Sequence, residues 1–238
     1  MVTTTQLFRL IWIVPRANPL IWTPKQTSGC FGTGSSDFDF LNPECQPGEI
    51  IALKDFYAGS KSTYLSCPSE STDLNRNHSK SCTYAEDDCQ FHLDGQGKGL
   101  RIYTNCTGTT DCTVRVDRIK AGRPCDVLTH LTPANSMLMN YYCIPENLHQ
   151  SVSDQSVFNG STLYLYNNKY PKVVHLDSNH ACSVSAPCGS EITATALYIR
   201  LQYNAGGSCA QHLLLQDGES TLAIDCAFNN NFVVKSVF

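Results

Sequence analysis

The sequence lacks the features that mark membrane proteins, nucleic-acid-binding proteins and disordered chains. No apolar run approaches the roughly 18–20 residues that span a bilayer. The chain has 17 Lys and Arg against 21 Asp and Glu, and no basic cluster interleaves with aromatic residues, so we expect no nucleic-acid partner. Charged residues make up 16% and hydrophobic residues 42%, the composition of a folded protein. Its 238 residues suit two domains.

The sequence also lacks the common catalytic and metal-binding motifs. It contains neither H-E-x-x-H nor G-x-S-x-G, and its seven histidines are scattered along the chain. No two cysteines have the C-x-x-C spacing of zinc ribbons and redox sites. We therefore expect a protein that is not an enzyme and that uses no cofactor.

Cysteine, in contrast, is abundant. Thirteen cysteines are several times what a cytosolic enzyme needs, and they favour a disulfide framework formed in an oxidising compartment. Three N-x-S/T sequons, at Asn77, Asn105 and Asn159, agree with that compartment. We expect a secreted or extracellular glycoprotein with disulfide bonds.

Cysteine density and turn residues divide the chain. Residues 1–27 form an N-terminal segment whose apolar run, broken by Arg9, makes a poor signal peptide. Cysteines are dense in 28–143 and absent from the polar stretch 144–156, which we predict to be a linker before a second domain at 157–238. Short β-branched or aromatic runs predict strands, namely Glu49–Leu53, Leu100–Tyr103, Cys112–Val116, Leu163–Tyr166, Ala196–Tyr203 and Phe232–Val237.

The first domain carries a family resemblance. The stretch CQPGEIIALKDFYAG, from Cys45 to Gly59, resembles the strand and turn of the galactose/rhamnose-binding lectin domain of the SUEL type. Cys106-Thr-Gly-Thr-Thr-Asp-Cys112-Thr-Val114 resembles its C-x-G-x-x-x-C-x-V, and further matches are Gly122-Arg-Pro-Cys125 and Met139-Asn-Tyr-Tyr-Cys143. The resemblance covers about residues 28–143 and implies a β-rich α+β lectin-like domain that binds carbohydrate.

The second domain, 157–238, is similar to a CUB domain, which implies a β-sandwich. The similarity rests on Tyr170-Pro171, the interval from Cys182 to Cys209, and Asp217-Gly218 after a strand. The CUB calcium site places an acidic residue where this sequence has His212, so we expect no calcium site. We read Asp217-Gly218 as a turn between two strands. The fold class is therefore predicted to be mainly β and disulfide-stapled.

The two resemblances also imply a disulfide pattern. The lectin family implies Cys30–Cys67, Cys45–Cys143, Cys106–Cys112, and Cys125 with either Cys89 or Cys82, one of which is surplus. The CUB family implies Cys209–Cys226, and we expect Cys182–Cys188 as a local substitute for a bond whose first cysteine is missing.

The sugar site that the lectin family implies is altered in this sequence. The turn reads Tyr57-Ala-Gly-Ser60 with Lys61 as the nearest cation, Arg123 stands at the aspartate of G-D-P-C, and Lys25 stands about where the family has a glutamate. One hypothesis is that Tyr57, Lys61 and Arg123 form a modified site for glycans or cell-surface glycoproteins. The alternative is a protein-interaction or structural module on a lectin-type scaffold without sugar binding.

Overall fold

The computed structural model of the chain is rich in strands. It describes residues 9–15, 23–31, 39–63, 84–93, 98–120, 125–126, 128–131, 134, 136–151, 157, 163–166, 192–198, 201, 203–217, 220–228 and 233–236. Among these residues, no helix has the length and apolar character needed to cross a membrane.

The chain forms two compact units, and one is inserted in the sequence of the other. The inserted unit is Thr23–Cys143, and the flanking unit consists of Met1–Trp22 together with Ile144–Phe238. One boundary between the units follows Cys143, and residues 1–22 group with the C-terminal part of the chain. The division into a segment 1–27, domains 28–143 and 157–238 and a linker 144–156 stays a prediction.

A four-stranded sheet organises the inserted unit. Its strands are β2 (Lys25–Cys30), β4 (Glu49–Ser60), β5 (Cys89–His92) and β7 (Ser136–Pro145), in the order β2-β7-β4-β5. A smaller two-stranded sheet pairs β3 (Phe40–Leu41) with β6 (Val114–Arg115). The core includes Ile51, Leu53, Phe56, Met137 and Met139, each 2% exposed or less. Such a core fits the apolar run at the start of β4, which has buried residues on both faces of the sheet.

The inserted unit also contains the helix α1, Lys98–Cys106. We predicted a strand at Leu100–Tyr103, and this prediction was wrong. Ile102, Tyr103 and Cys106 are all buried, a spacing that fits one helical face better than alternation along a strand. The helix is followed by Gly108, whose φ of +86° suits the left-handed conformation common after a helix.

The flanking unit contains a five-stranded sheet and a hairpin. The sheet is formed by β1 (Arg9–Pro15), β8 (His149–Ser151), β9 (Leu163–Tyr166), β10 (Ile192–Tyr198) and β13 (Val233–Ser236), in the order β13-β10-β1-β9-β8. The hairpin joins β11 (Leu213–Asp217) to β12 (Ser220–Ile224), with Asp217 opposite Ser220. The chain therefore reverses direction between Asp217 and Ser220, where a turn was predicted, and Gly218 lies outside the described residues.

Three stretches considered in the sequence analysis contribute to the flanking unit. The N-terminal segment supplies β1, the central strand of the five-stranded sheet. The predicted linker 144–156 contains a short 3-10 helix, Glu146–Leu148, and β8. The strand predicted at Ala196–Tyr203 begins earlier, since β10 spans Ile192–Tyr198, and residues 199, 200 and 202 lie outside the described part of the chain.

Four disulfide bonds join described cysteines, and they are the pairs implied by the family resemblances: Cys45–Cys143, Cys89–Cys125, Cys106–Cys112 and Cys209–Cys226. Cys89 rather than Cys82 is therefore the partner of Cys125. Cys30 is disulfide-bonded as well, but Cys67, Cys82, Cys182 and Cys188 lie outside the described residues.

Candidate functional site

One face of the four-stranded sheet carries a row of polar side chains, which we call the polar face: Gln26, Asp55, Tyr57, Gln90, His92 and Asn140. Asp55 and Tyr57 share this face because they are two residues apart on β4. His92 lies directly opposite Tyr57 on β5, and Gln26 lies opposite Asn140 on β7. The polar face therefore extends across all four strands.

Hydrogen bonds connect the polar face from β2 to β4. The Gln26 side-chain amide donates to Asn140 Oδ1 at 3.0 Å, and Asn140 Nδ2 donates to Asp55 Oδ1. Asp55 is only 5% exposed, whereas Gln26 is exposed and Asn140 is half-buried. The row thus runs from solvent into the sheet, with a carboxylate at its inner end.

Two aromatic rings lie beside this carboxylate. The Tyr57 and His92 rings are in tilted contact, with centroids 4.3 Å apart, and His92 is exposed. Burial and the nearby Asp55 carboxylate raise the pKa of the Tyr57 hydroxyl above its ordinary value. The hydroxyl is protonated at physiological pH, as for an ordinary tyrosine, and can donate a hydrogen bond.

Beyond the end of β4, the polar face continues into a buried ion pair. The Lys61 side chain is 0% exposed, and its Nζ lies 2.5 Å from Asp88 Oδ2. The same oxygen accepts a hydrogen bond from the Ala85 amide at 2.9 Å. Asp88 Oδ1 is buried and has no hydrogen-bond partner among the residues that the structure describes.

The ion pair lines a small pocket, which we call the Lys61 pocket. Its polar lining comes from Ser28, Gly59, Lys61, Tyr84, Asp88, Gln90 and Ser136. The free space at its centre is about 10 Å³, room for about one water-sized group. Tyr84 is 41% exposed, so it connects the buried lining to the surface.

Close packing of β4 against β7 shapes one wall of this pocket. The Ser136 hydroxyl donates to the Gly59 carbonyl oxygen at 2.8 Å. A Cβ atom at residue 59 would lie 2.5 Å from Ser136 Oγ, closer than van der Waals contact allows. Glycine is required here by this approach, since Gly59 is not among the described glycines with positive φ.

The three predicted site residues differ in where the structure places them. Tyr57 lies on the polar face, but in a strand paired with β5 and not in a turn, so the prediction of a turn at Tyr57–Ser60 was wrong. Lys61, predicted as a cation of the site, is buried and bonded to Asp88. Arg123 lies outside the described residues.

The sequence reasoning missed Asp55, Tyr84, Asp88 and His92. The alternation of Asp55 with Tyr57 on a single strand was a usable signal. The pairing of β4 with β5, which brings His92 and Asp88 to the same face, had no local signature in the sequence.

The predicted glycosylation and calcium positions are only partly described. Asn105 is exposed on α1, whereas Asn77 and Asn159 lie outside the described residues. His212, at the position that argues against a calcium site, is half-buried. Cys45, Glu49 and Cys143 form a cluster of potential metal ligands, but the two cysteines are bonded to each other and offer no thiolate.

Comparison of the chain with family models, with curated proteins and with solved structures gave no match. Its function is therefore argued from the polar face and the Lys61 pocket.

Proposed function

We propose that this protein is an extracellular, non-enzymatic recognition protein that binds glycans through the polar face. The observation that carries the proposal is the combination of the hydrogen-bonded row Gln26–Asn140–Asp55 with the Tyr57–His92 ring pair. A sugar presents hydroxyl groups that need both donors and acceptors, together with an apolar C–H face that packs on an aromatic ring. The polar face offers all three in one place.

The framework of the inserted unit supports this proposal. Three disulfides tie together the elements around the sheet, as is common in secreted binding domains. A site on paired strands is also more rigid than a site on loops, so less conformational entropy is lost when a ligand binds. The resemblance to SUEL-type lectins over residues 28–143 adds independent weight, and residues 157–238 are proposed as a CUB-like domain.

A protein-interaction or structural role without sugar binding is the second candidate. The observation that favours it is the burial of Lys61, whose ammonium group is bonded to Asp88 and adds no exposed charge to the polar face. Under this reading the polar row would serve mainly to hold β2, β7 and β4 in register, and the exposed His92 ring would contact a protein.

A glycan-array screen of the oxidised, full-length protein tests the proposal. We expect binding to at least one class of glycan, with competition by free sugar. Tyr57→Ala should weaken that binding about tenfold or more, which corresponds to the loss of one aromatic contact and one hydrogen bond.

The control is Leu214→Ala, which removes an exposed apolar side chain from β11 in the flanking unit. It should bind like the unchanged protein. An array without signal from a folded sample would favour the protein-interaction role. Full glycan binding by Tyr57→Ala would contradict the placement of the sugar site on the polar face.

A further inference from the structure

The lining of the Lys61 pocket includes Asp88, whose buried Oδ1 receives no hydrogen bond from the residues that the structure describes. We infer that this pocket is a subsite that receives one hydroxyl group of a sugar, which donates its hydrogen bond to Asp88 Oδ1. The inference rests on the proposed function, and it names the part of the site that distinguishes one sugar from another.

The burial of Asp88 is the first argument. Its side chain is 3% exposed, and its two oxygens are used unequally: Oδ2 receives both Lys61 Nζ and the Ala85 amide, whereas Oδ1 receives no donor from the described residues. A buried acceptor without a donor costs about 1–3 kcal/mol. Such groups in native proteins call for an explanation, and a ligand donor supplies one.

The size of the pocket limits its occupant. About 10 Å³ of free space holds a single oxygen-sized group and excludes a whole sugar ring. The ring itself must therefore remain at the mouth of the pocket, while one of its hydroxyl groups reaches inward.

The charge of the lining determines the chemistry of that group. Lys61 neutralises Asp88, so a second ammonium group at Oδ1 would lie close to Lys61 Nζ and be repelled by it. A carboxylate or phosphate would meet the unpartnered carboxylate oxygen and be repelled as well. A neutral donor avoids both penalties, and Ser28, Gln90 and Ser136 contribute further polar residues to the lining.

The mouth of the pocket suits a sugar ring. Tyr84 lines the pocket and is 41% exposed, so its ring is available to the C–H face of a sugar whose hydroxyl points to Asp88. The pocket is also held in shape by its neighbours. The Asp88 amide donates to the Ala85 carbonyl at 3.0 Å, and the next residue, Cys89, is bonded to Cys125.

Two variants test the subsite without disturbing the ion pair. Ser28→Val places a branched side chain in the lining and fills the free space, and valine is well tolerated in strands. Tyr84→Ala removes the exposed ring. The matched control is Leu128→Ala, which shortens an 83% exposed side chain of the same unit outside the pocket lining.

The measurement is the dissociation constant of each variant, by calorimetry, for the strongest binder found on the array. We expect Ser28→Val and Tyr84→Ala each to weaken binding about tenfold or more, the effect of one hydrogen bond to a charged acceptor or one aromatic contact, and Leu128→Ala to leave it unchanged. Crystals of the oxidised protein soaked in D-galactose, L-rhamnose, D-glucose or D-mannose should show a sugar hydroxyl on Asp88 Oδ1.

The outcomes separate this inference from the proposed function. If glycans bind and Tyr57→Ala weakens them, but Ser28→Val and Tyr84→Ala do not, the Lys61 pocket is not a subsite and the proposed function stands. Water alone on Asp88 Oδ1 in a crystal that holds sugar elsewhere on the polar face has the same meaning. A blank array together with sugar-free soaks overturns both.

Discussion

Replacement of Gly59 by alanine is the sharpest test of how β4 packs against β7. The added Cβ would lie 2.5 Å from Ser136 Oγ, and overpacking of this kind costs typically about 1–3 kcal/mol. Replacing a strand glycine by alanine otherwise stabilises a protein by about 0.5–1 kcal/mol where the backbone conformation permits it. We therefore expect Gly59→Ala to lower the free energy of unfolding by roughly 0.5–2 kcal/mol.

The same substitution should no longer destabilise the protein once the serine hydroxyl is removed. The added Cβ would lie 3.8 Å from the Ser136 Cβ, an ordinary contact. In a Ser136→Ala background, Gly59→Ala should therefore be neutral or stabilising by up to about 1 kcal/mol. The single change Ser136→Ala is expected to cost about 1 kcal/mol, because it removes the hydrogen bond to the Gly59 carbonyl.

The four proteins of this cycle are the unchanged protein, Gly59→Ala, Ser136→Ala and the double variant, all in the oxidised form. Denaturant titration followed by far-UV circular dichroism measures their differences in stability as shifts in midpoint at constant slope. The double-mutant cycle should give a coupling energy of about 1–3 kcal/mol. An equal cost of Gly59→Ala in both backgrounds would refute the reasoning, because it would show that the serine hydroxyl is not what glycine accommodates.

Two further predictions concern the ionisation of the site and its framework. Between pH 10 and the raised pKa of Tyr57, the folded state keeps a proton that the unfolded state has lost, so the free energy of unfolding falls as the pH rises through that interval. Urea titrations at pH 9 and pH 11 should show a smaller loss of stability for Tyr57→Phe than for the unchanged protein. An identical loss of stability would contradict the shift in pKa. The disulfides Cys45–Cys143 and Cys106–Cys112 have sequence separations of 98 and 6, so replacing each pair by alanine should cost about 4–5 and about 2–2.5 kcal/mol respectively in the chain-entropy treatment. Equal shifts in the denaturation midpoint would show that loop length does not determine their contribution.

Much of the local structure could be predicted from the sequence. Leu163–Tyr166 coincides with β9, and the turn after Asp217 joins β11 to β12, because short runs between turn residues carry their own signal. Four disulfide pairs followed from the order of the cysteines in the resembling families. These features depend on neighbouring residues or on motifs that can be read along the chain.

The missed features depend on pairing between distant segments. The burial of Asp88 could not be predicted, because aspartate is a polar residue. Its burial results from the pairing of β5 with β4 and from the ammonium group of Lys61. The polar face likewise requires the register that places His92 opposite Tyr57. Such pairings are set by the whole sheet, so Tyr57 and Lys61 were the only residues of the candidate site that the sequence singled out.

The central place of β1 in the flanking sheet has a consequence for the biosynthesis of the protein. Arg9 pairs with Tyr198 and with Tyr166, so this strand leaves the ribosome well before the two strands that it pairs with. At about 5–20 residues per second, roughly 10–40 s pass before the chain from Arg9 to Tyr198 has been made. During that delay the inserted unit can fold and form its disulfides. The apolar segment Leu10-Ile-Trp-Ile-Val14 remains unpaired over the same time and is available for chaperone binding.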